Sequence, residues 1–317
     1  MIDIGSLYSG ILNQDRSSLS KAITLVESSK TEHNDLALEL IEKISKHKTK
    51  SKRLGISGTP GVGKSTFIEA FGSFIIEKGH KVAVLAIDPT SYISGGSILG
   101  DKTRMATLSY NENAFVRPTP SSKYLGGVAK KTKETILLCE AFGFDYIIVE
   151  TVGVGQSEVA VSEITDHFML LMQPASGDEL QGIKRGILEL ADSIVVNKAD
   201  GDLLSKAKIT KAELDSSIHI LRKEKFPILL CSALNKTGMN EIYESIEKDF
   251  NQKIKSKRLY EVREKQNYKW LMDLIKIELI KKLDNNESLK KEIESSLNKG
   301  ELTIPSIAKK ILKNFKL

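Results

Sequence analysis

Hydrophobic and polar positions change rhythm twice along these 317 residues. Up to residue 48 the spacing is helical. One amphipathic segment covers about residues 17–29, and a second opens at Thr31 and gathers Leu36, Leu38, Leu40, Ile41 and Ile44 on one broad face. A basic, polar joint spans residues 46–53. Short, nearly continuous apolar runs then alternate with helix-spaced segments. They predict strands at residues 53–57, 81–88, 145–150, 167–172, 193–197 and 227–231. Runs apolar on both faces belong in a parallel sheet covered by crossover helices. After Asn251 the alternation stops. Tyr268, Met272, Ile275, Leu279 and Leu283 make one helical stripe, and Ile307, Ala308, Ile311, Leu312 and Phe315 make another. Asn298-Lys-Gly300 reads as a helix stop and Thr303-Ile-Pro305 as a restart. The expectation is an α/β protein in three parts: an N-terminal helical region (1–50), an α/β domain (51–252) and a C-terminal helical arm (253–317).

Composition narrows this picture. With 40% hydrophobic and 28% charged residues the chain can bury a sizeable core under a polar surface. No apolar run approaches the ~18 residues of a membrane span. The opening Met-Ile-Asp-Ile-Gly-Ser lacks the basic patch and apolar stretch of a secretory signal, and it is not Arg-rich, so a cytoplasmic location is expected. Cys139 and Cys231 sit in apolar segments and read as core residues. His33, His47, His80, His167 and His219 are scattered without metal-ligand spacing. The net charge of +6 is uneven: residues 251–317 hold 17 Lys/Arg against 9 Asp/Glu, while residues 1–250 hold 30 against 32. In the basic part lysines and glutamates interleave around apolar positions, which describes a solvated helical face and not a nucleic-acid surface.

Two segments carry chemistry. Gly58-Thr59-Pro60-Gly61-Val62-Gly63-Lys64-Ser65-Thr66 satisfies G-x-x-x-x-G-K-[ST], between an apolar strand and an apolar-periodic helix. Its glycines let backbone N–H groups turn toward phosphate oxygens, and the helix N-terminus adds its positive end. Lys64 then reaches the β- and γ-phosphates, and the Ser65 hydroxyl meets Mg²⁺. The second segment, Asn197-Lys198-Ala199-Asp200, closes a predicted strand. Asp200 can accept two hydrogen bonds from guanine's ring N–H and amine, whereas adenine would leave the carboxylate without a donor. Asn197 braces this loop and the Lys198 stem lies along the base. Ser232-Ala233-Leu234 follows the next strand, where a backbone N–H can meet guanine O6. GTP and GDP are the expected ligands.

Asp88 and Glu150 each end a predicted strand near Lys64 and Ser65 and suit Mg²⁺ with its waters. The competing readings make Asp88 and Asp101 helix caps and Glu150 the partner of a surface lysine. Gly153 would bring a backbone N–H to the γ-phosphate. No residue stands out as a general base, so slow turnover is expected until a partner or second subunit completes the site.

The segments 88–105, Arg117-Pro-Thr-Pro-Ser-Ser122, Leu125-Gly-Gly-Val-Ala129, 150–158 and Gly177-Asp-Glu-Leu-Gln-Gly-Ile-Lys184 together resemble the MeaB/ArgK family of GTPases, which includes the methylmalonic aciduria type A protein. The resemblance spans nearly the whole chain. It implies a P-loop NTPase of the SIMIBI type, with a mostly parallel sheet flanked by helices and helical extensions at both ends. It also implies a GTPase that chaperones an adenosylcobalamin-dependent acyl-CoA mutase, typically methylmalonyl-CoA mutase, gating cofactor loading and protecting or reactivating that enzyme. A homodimer through the C-terminal arm follows from the same source. So do Asp88, Asp101 and Glu150 as metal-site carboxylates beside Ser65, and 178–184 as a switch toward the mutase. The rival readings are a nickel-inserting metallochaperone GTPase, which needs a Cys/His cluster, and a transport-linked protein kinase.

Overall fold

The computed structural model describes residues 2–28, 30–47, 49–88, 105–120, 125–151, 157–174, 185–221, 226–299 and 303–314. Three helices come first: α1 (Ile4–Leu12), α2 (Arg16–Glu27) and α3 (Thr31–Ile44). Asp3 accepts a hydrogen bond from Gly5 N at 2.9 Å, and Asp15 accepts from Ser18 N at 2.9 Å, so each carboxylate satisfies amides that a helix start leaves without partners. The periodicity predicts two helices in this region. The third, α1, has nine residues, and Ile4, Leu7 and Ile11 are too few repeats for the pattern to stand out.

The alternating part follows as β1 (Lys52–Gly58), α4 (Lys64–Glu77), β2 (Val82–Asp88), α5 (Ala106–Tyr110), β3 (Ala114–Pro120), α6 (Leu125–Phe142), β4 (Tyr146–Thr151), α7 (Ser157–Ser162), β5 (His167–Met172), α8 (Arg185–Leu190), β6 (Ser193–Val196), α9 (Leu204–Leu221) and β7 (Ile228–Leu230). The strands form one parallel sheet in the order β3-β2-β4-β1-β5-β6-β7. Every residue of β4, β5 and β6 is buried, which accounts for their unbroken apolar runs. Six of the seven strands match the predicted runs. The seventh, β3, carries Pro118 and Pro120 and so does not read as a strand. Among the described residues it lies at the sheet edge and pairs with β2 alone, from Val82↔Ala114 to Asp88↔Pro120, where a missing N–H is tolerated.

At the amino-terminal end of the sheet, charged side chains tie the later helices α10 (Met239–Lys255) and α11 (Arg258–Asp284) to the strands. Arg53 donates from Nε and Nη2 to the two oxygens of Glu140, at 2.7 and 2.9 Å. Burial pushes the Glu140 carboxyl up, but Arg53 and Ser51 outweigh that and hold it below its usual value. Arg263 donates to Asp166 in the same two-pronged way, at 2.9 and 2.7 Å. His167 bonds Asp249 at 2.7 Å and Ser193 at 2.8 Å. His167, Asp192 and Asp249 lie close enough together to hold a metal ion. The Lys253 ammonium takes the cation's place, at 3.0 Å from Asp192 and 2.7 Å from Asp249.

The chain divides into two compact units, Met1–Glu264 and Lys265–Leu317. The second holds the later part of α11 with α12 (Glu287–Lys299) and α13 (Ile304–Asn314), and the break between the last two falls at the predicted stop and restart. Among the described residues no helix is long and apolar enough to cross a membrane.

Candidate nucleotide site

Because all strands run the same way, the carboxyl ends of β1, β2, β4, β5, β6 and β7 lie along one end of the sheet. Ligands bind at that end in open parallel sheets, beside the strand where the order reverses. Here that strand is β1, which lies between β4 and β5.

The glycine-rich loop bridges β1 and α4. Gly61 and Gly63 have φ of 84° and 91°, the left-handed region that glycine enters without strain. Gly58 is required for a different reason, since a Cβ there would stand 2.5 Å from Leu171 O on the neighbouring strand. Lys64, the first residue of α4, donates from Nζ to Gly58 O at 2.8 Å and Thr59 O at 3.4 Å, and it is 9% exposed. Burial lowers its pKa, while Glu150 and Glu158 act in the opposite direction. Ser65 Oγ donates to Glu150 Oε1 at 3.4 Å, which brings the hydroxyl beside the strand-tip carboxylate. Thr151 Oγ1 donates to Ser57 Oγ at 2.9 Å and joins the tips of β4 and β1. Thr59, Pro60 and Thr66 lie at or beside the surface, and Val62 is buried beneath the loop.

The second loop is joined to the first. Asn197 Nδ2 donates to Val62 O at 2.9 Å, and its Oδ1 accepts from Ala233 N at 3.0 Å and from Cys231 Sγ at 3.4 Å. A Cβ on Gly63 would come within 2.9 Å of Asn197 Nδ2, so glycine also makes room for this brace. Lys198 has φ of 58°, costly for a residue with a side chain, and its Nζ donates to Gly61 O at 2.7 Å. Ser232 Oγ donates to Asp200 Oδ2 and accepts from Asn235 N at 3.1 Å. Ala233 is buried, and Leu234 is 78% exposed beside it. Cys231 is the core residue expected, with its thiol pushed up to about 12 by burial and by Asp200.

Asp88 is the last residue of β2. Its side chain, Asp101, Gly153 and the segment 178–184 fall outside the described residues. Three contacts were not foreseen. Glu158 is buried in the first turn of α7 and acts on Lys64; its spacing of eight residues from Glu150 across a glycine-rich stretch of sequence is the signal that could have found it. Gln173 accepts from Lys198 at 3.4 Å, and the Ser232 hydroxyl acts directly on Asp200. Nothing local in the sequence marks either of these.

A glycine-rich G-x-x-x-x-G-K-S loop after β1 and an Asn-Lys-Ala-Asp loop after β6, bound to each other at one end of a parallel sheet, are the arrangement of a P-loop GTPase. The family model described as "Methylmalonyl Co-A mutase-associated GTPase MeaB" matches residues 19–288, and the chain belongs to this family. It is 46% identical to "GTPase ArgK" of Escherichia coli, covering 89% of this chain and 87% of that protein. It is 42% identical to the mitochondrial "Methylmalonic aciduria type A homolog" of Mus musculus, covering 99% of this chain and 80% of the relative. A solved structure titled "LAO/AO transport system kinase" superposes with a TM-score of 0.78 at 35% identity, over the whole of both chains. HypB from Helicobacter pylori in complex with nickel, at 18% identity and a TM-score of 0.50, shares the fold alone, over 68% of this chain and 94% of that one.

Proposed function

We infer that this GTPase serves an adenosylcobalamin-dependent acyl-CoA mutase, with methylmalonyl-CoA mutase as the partner, and that GTP hydrolysis times cofactor loading and protection or reactivation of that enzyme. The observation that carries this reading is the family match over residues 19–288, whose description names association with that mutase. Purified protein and methylmalonyl-CoA mutase should co-elute in size exclusion with GTP, and the mutase should lose activity more slowly in turnover. No co-elution with any nucleotide and an unchanged inactivation rate would overturn the reading.

At the site, Asp200 reads guanine while Ser232 holds one of its oxygens. Lys64 and the backbone N–H groups of residues 59–65 take the phosphates, and water attacks the γ-phosphate in line to release GDP and phosphate. Ser65 Oγ and Glu150 Oε1, 3.4 Å apart, form an all-oxygen donor set that fits Mg²⁺. With Asp88 and Asp101 they would hold the ion, which supplies charge neutralisation at the phosphates. Asp200→Asn should move preference from GDP toward xanthosine diphosphate, because the amide donates to the carbonyl that replaces guanine's amine. Wild type should prefer GDP to ADP by on the order of 10⁴. Equal affinities in calorimetry would remove the assignment of Asp200.

The C-terminal unit is the dimerisation element of this reading. Along α11, two of the five stripe residues are exposed, Tyr268 at 66% and Ile275 at 43%, while Met272, Leu279 and Leu283 are half-buried; Leu271 and Ile280 beside them are exposed. Apolar stripes of this kind are usually covered by a partner, and two-fold self-association is the commonest means.

A further inference from the structure

A cleft of about 920 Å³ opens among α1, α2 and the start of α3, and none of residues 58–66, 197–200 or 232–234 lines it. One wall is a face of α2 and its C-cap, where Ser17, Lys21, Thr24 and Ser28 recur at helical spacing. Glu27 lines the cleft as well, with a side chain only 7% exposed. Its Oε2 accepts from Arg117 Nη2 on β3. Its Oε1 is buried and has no hydrogen-bond partner.

A buried carboxylate oxygen without a donor has lost its hydration and gained no bond in exchange, so it marks a place where a donor from outside the chain would fit. The neighbouring groups are committed elsewhere. Arg117 Nη2 also donates to Thr24 Oγ1 at 3.4 Å, and Lys131 Nζ donates to the Glu27 and Ser28 carbonyls. Ser28 Oγ accepts from Lys30 N at 3.2 Å and bonds His33 Nδ1 at 2.8 Å. Arg117 Nε is likewise buried without a partner, but Arg117 does not line the cleft.

The surroundings define the occupant. Burial raises the Glu27 pKa, while Arg117 and Lys131 act against that. Two cations therefore already balance this carboxylate, and a neutral donor completes it better than a metal ion or an ammonium would. Leu7 and Leu25 add apolar surface to the lining. Lys21 and Lys30 are exposed among the lining residues and favour an anion, whereas Asp3, the other acid there, is engaged in capping α1 through Gly5 N at 2.9 Å. Lys21 precedes Glu27 by six residues on α2, about 9 Å along the helix axis.

We propose that this cleft binds a small organic anion whose apolar chain ends in a hydroxyl: the hydroxyl donates to Glu27 Oε1, the chain lies against Leu7 and Leu25, and the carboxylate meets Lys21 and Lys30. The site is built from other residues than the nucleotide loops and does not depend on the mutase reading.

The test titrates the full-length, GDP-bound protein with 6-hydroxyhexanoate, which is about long enough for the span from Glu27 to Lys21. Hexanoate lacks the hydroxyl and 1,6-hexanediol lacks the carboxylate. Affinities come from calorimetry at low ionic strength, and contacts from saturation-transfer NMR. 6-Hydroxyhexanoate should bind at least about tenfold more tightly than hexanoate, the worth of a hydrogen bond to a charged acceptor, and about threefold more tightly than the diol. Glu27→Gln removes that charge and should cost 6-hydroxyhexanoate about fivefold while leaving hexanoate unchanged. Replacing both Lys21→Ala and Lys30→Ala alters exposed side chains alone, so it serves if Glu27→Gln does not fold. It should weaken both acids by about threefold and leave the diol and GDP unchanged. Three outcomes overturn the proposal: no binding of 6-hydroxyhexanoate at millimolar concentration, binding no tighter than that of hexanoate, or binding indifferent to both the Glu27 and the lysine replacements.

Discussion

Asn197 and Val62 lie 135 residues apart in the chain, yet the Asn197 amide donates to the Val62 carbonyl at 2.9 Å and its oxygen accepts from Ala233 N at 3.0 Å. One side chain therefore holds together the phosphate loop on β1, its own loop on β6 and the loop after β7. Both ends of the amide are used, and all three partners are buried. Together with the Lys198 bond to Gly61 O, it joins the two loops.

Asn197→Ala should consequently affect more than base recognition. It leaves the Val62 carbonyl and the Ala233 amide without their partner, at about 1–3 kcal/mol for each group. The expected outcome is a lower melting temperature together with weaker binding of GDP and of inorganic-phosphate analogues of its tail. A variant that loses only guanine selectivity, with phosphate affinity and melting unchanged, would contradict a joint brace.

Glu150→Gln tests the other half. The substitution keeps the shape beside Ser65 but removes a carboxylate that bears on Lys64. GDP affinity should change by less than about threefold, while kcat falls at least about tenfold, since Glu150 would act on the developing negative charge through the Mg²⁺ it would hold, and stabilisation of that charge is worth that much or more. Single-turnover hydrolysis with radiolabelled GTP measures the second effect apart from product release.

A pH signature should come from Lys133 on α6. It is buried near Arg53 and Glu140, and burial together with Arg53 lowers its pKa from 10.5 to about 8. Below about pH 8 the folded and unfolded chains both carry its proton. Between about 8 and 10.5 the unfolded chain still binds that proton and the folded chain has released it. Unfolding then takes up protons, so this group makes stability rise with pH across that window. Lys133→Met should gain stability over wild type at pH 7.5 and lose most of that advantage by pH 10, measured by urea denaturation at both values. An advantage independent of pH would mean that Lys133 is not the titrating group.

A chain ending at Glu264 retains Arg263 and its two bonds to Asp166, as well as the phosphate and guanine loops. It should bind GDP as the full chain does and elute as a monomer, with the full chain dimeric by light scattering at micromolar concentration. A monomeric full-length protein would end the assignment of α11 as a dimer surface.

What the sequence determined by itself is the chemistry carried by contiguous residues. In Gly58–Thr66 and Asn197–Asp200 the backbone bend, the charge and the hydrogen-bonding groups are set by neighbours along the chain, so nucleotide class and base could be read without coordinates. The alternation of apolar runs and helix-spaced segments likewise specified a parallel sheet, because only strands covered on both faces are apolar throughout. Tertiary structure alone decided which strands are neighbours, since buried parallel strands look alike in sequence and their pairing depends on contacts far apart in the chain. It also decided that Ala114–Pro120, with its two prolines, is a strand, because an edge position needs hydrogen bonds on one side only. The same holds for Arg117 pairing with Glu27, Ser232 holding Asp200 and burial lowering the pKa of Lys133. Each depends on a partner or an environment that arrives from a distant part of the chain, and a side chain's identity does not specify what will be folded against it.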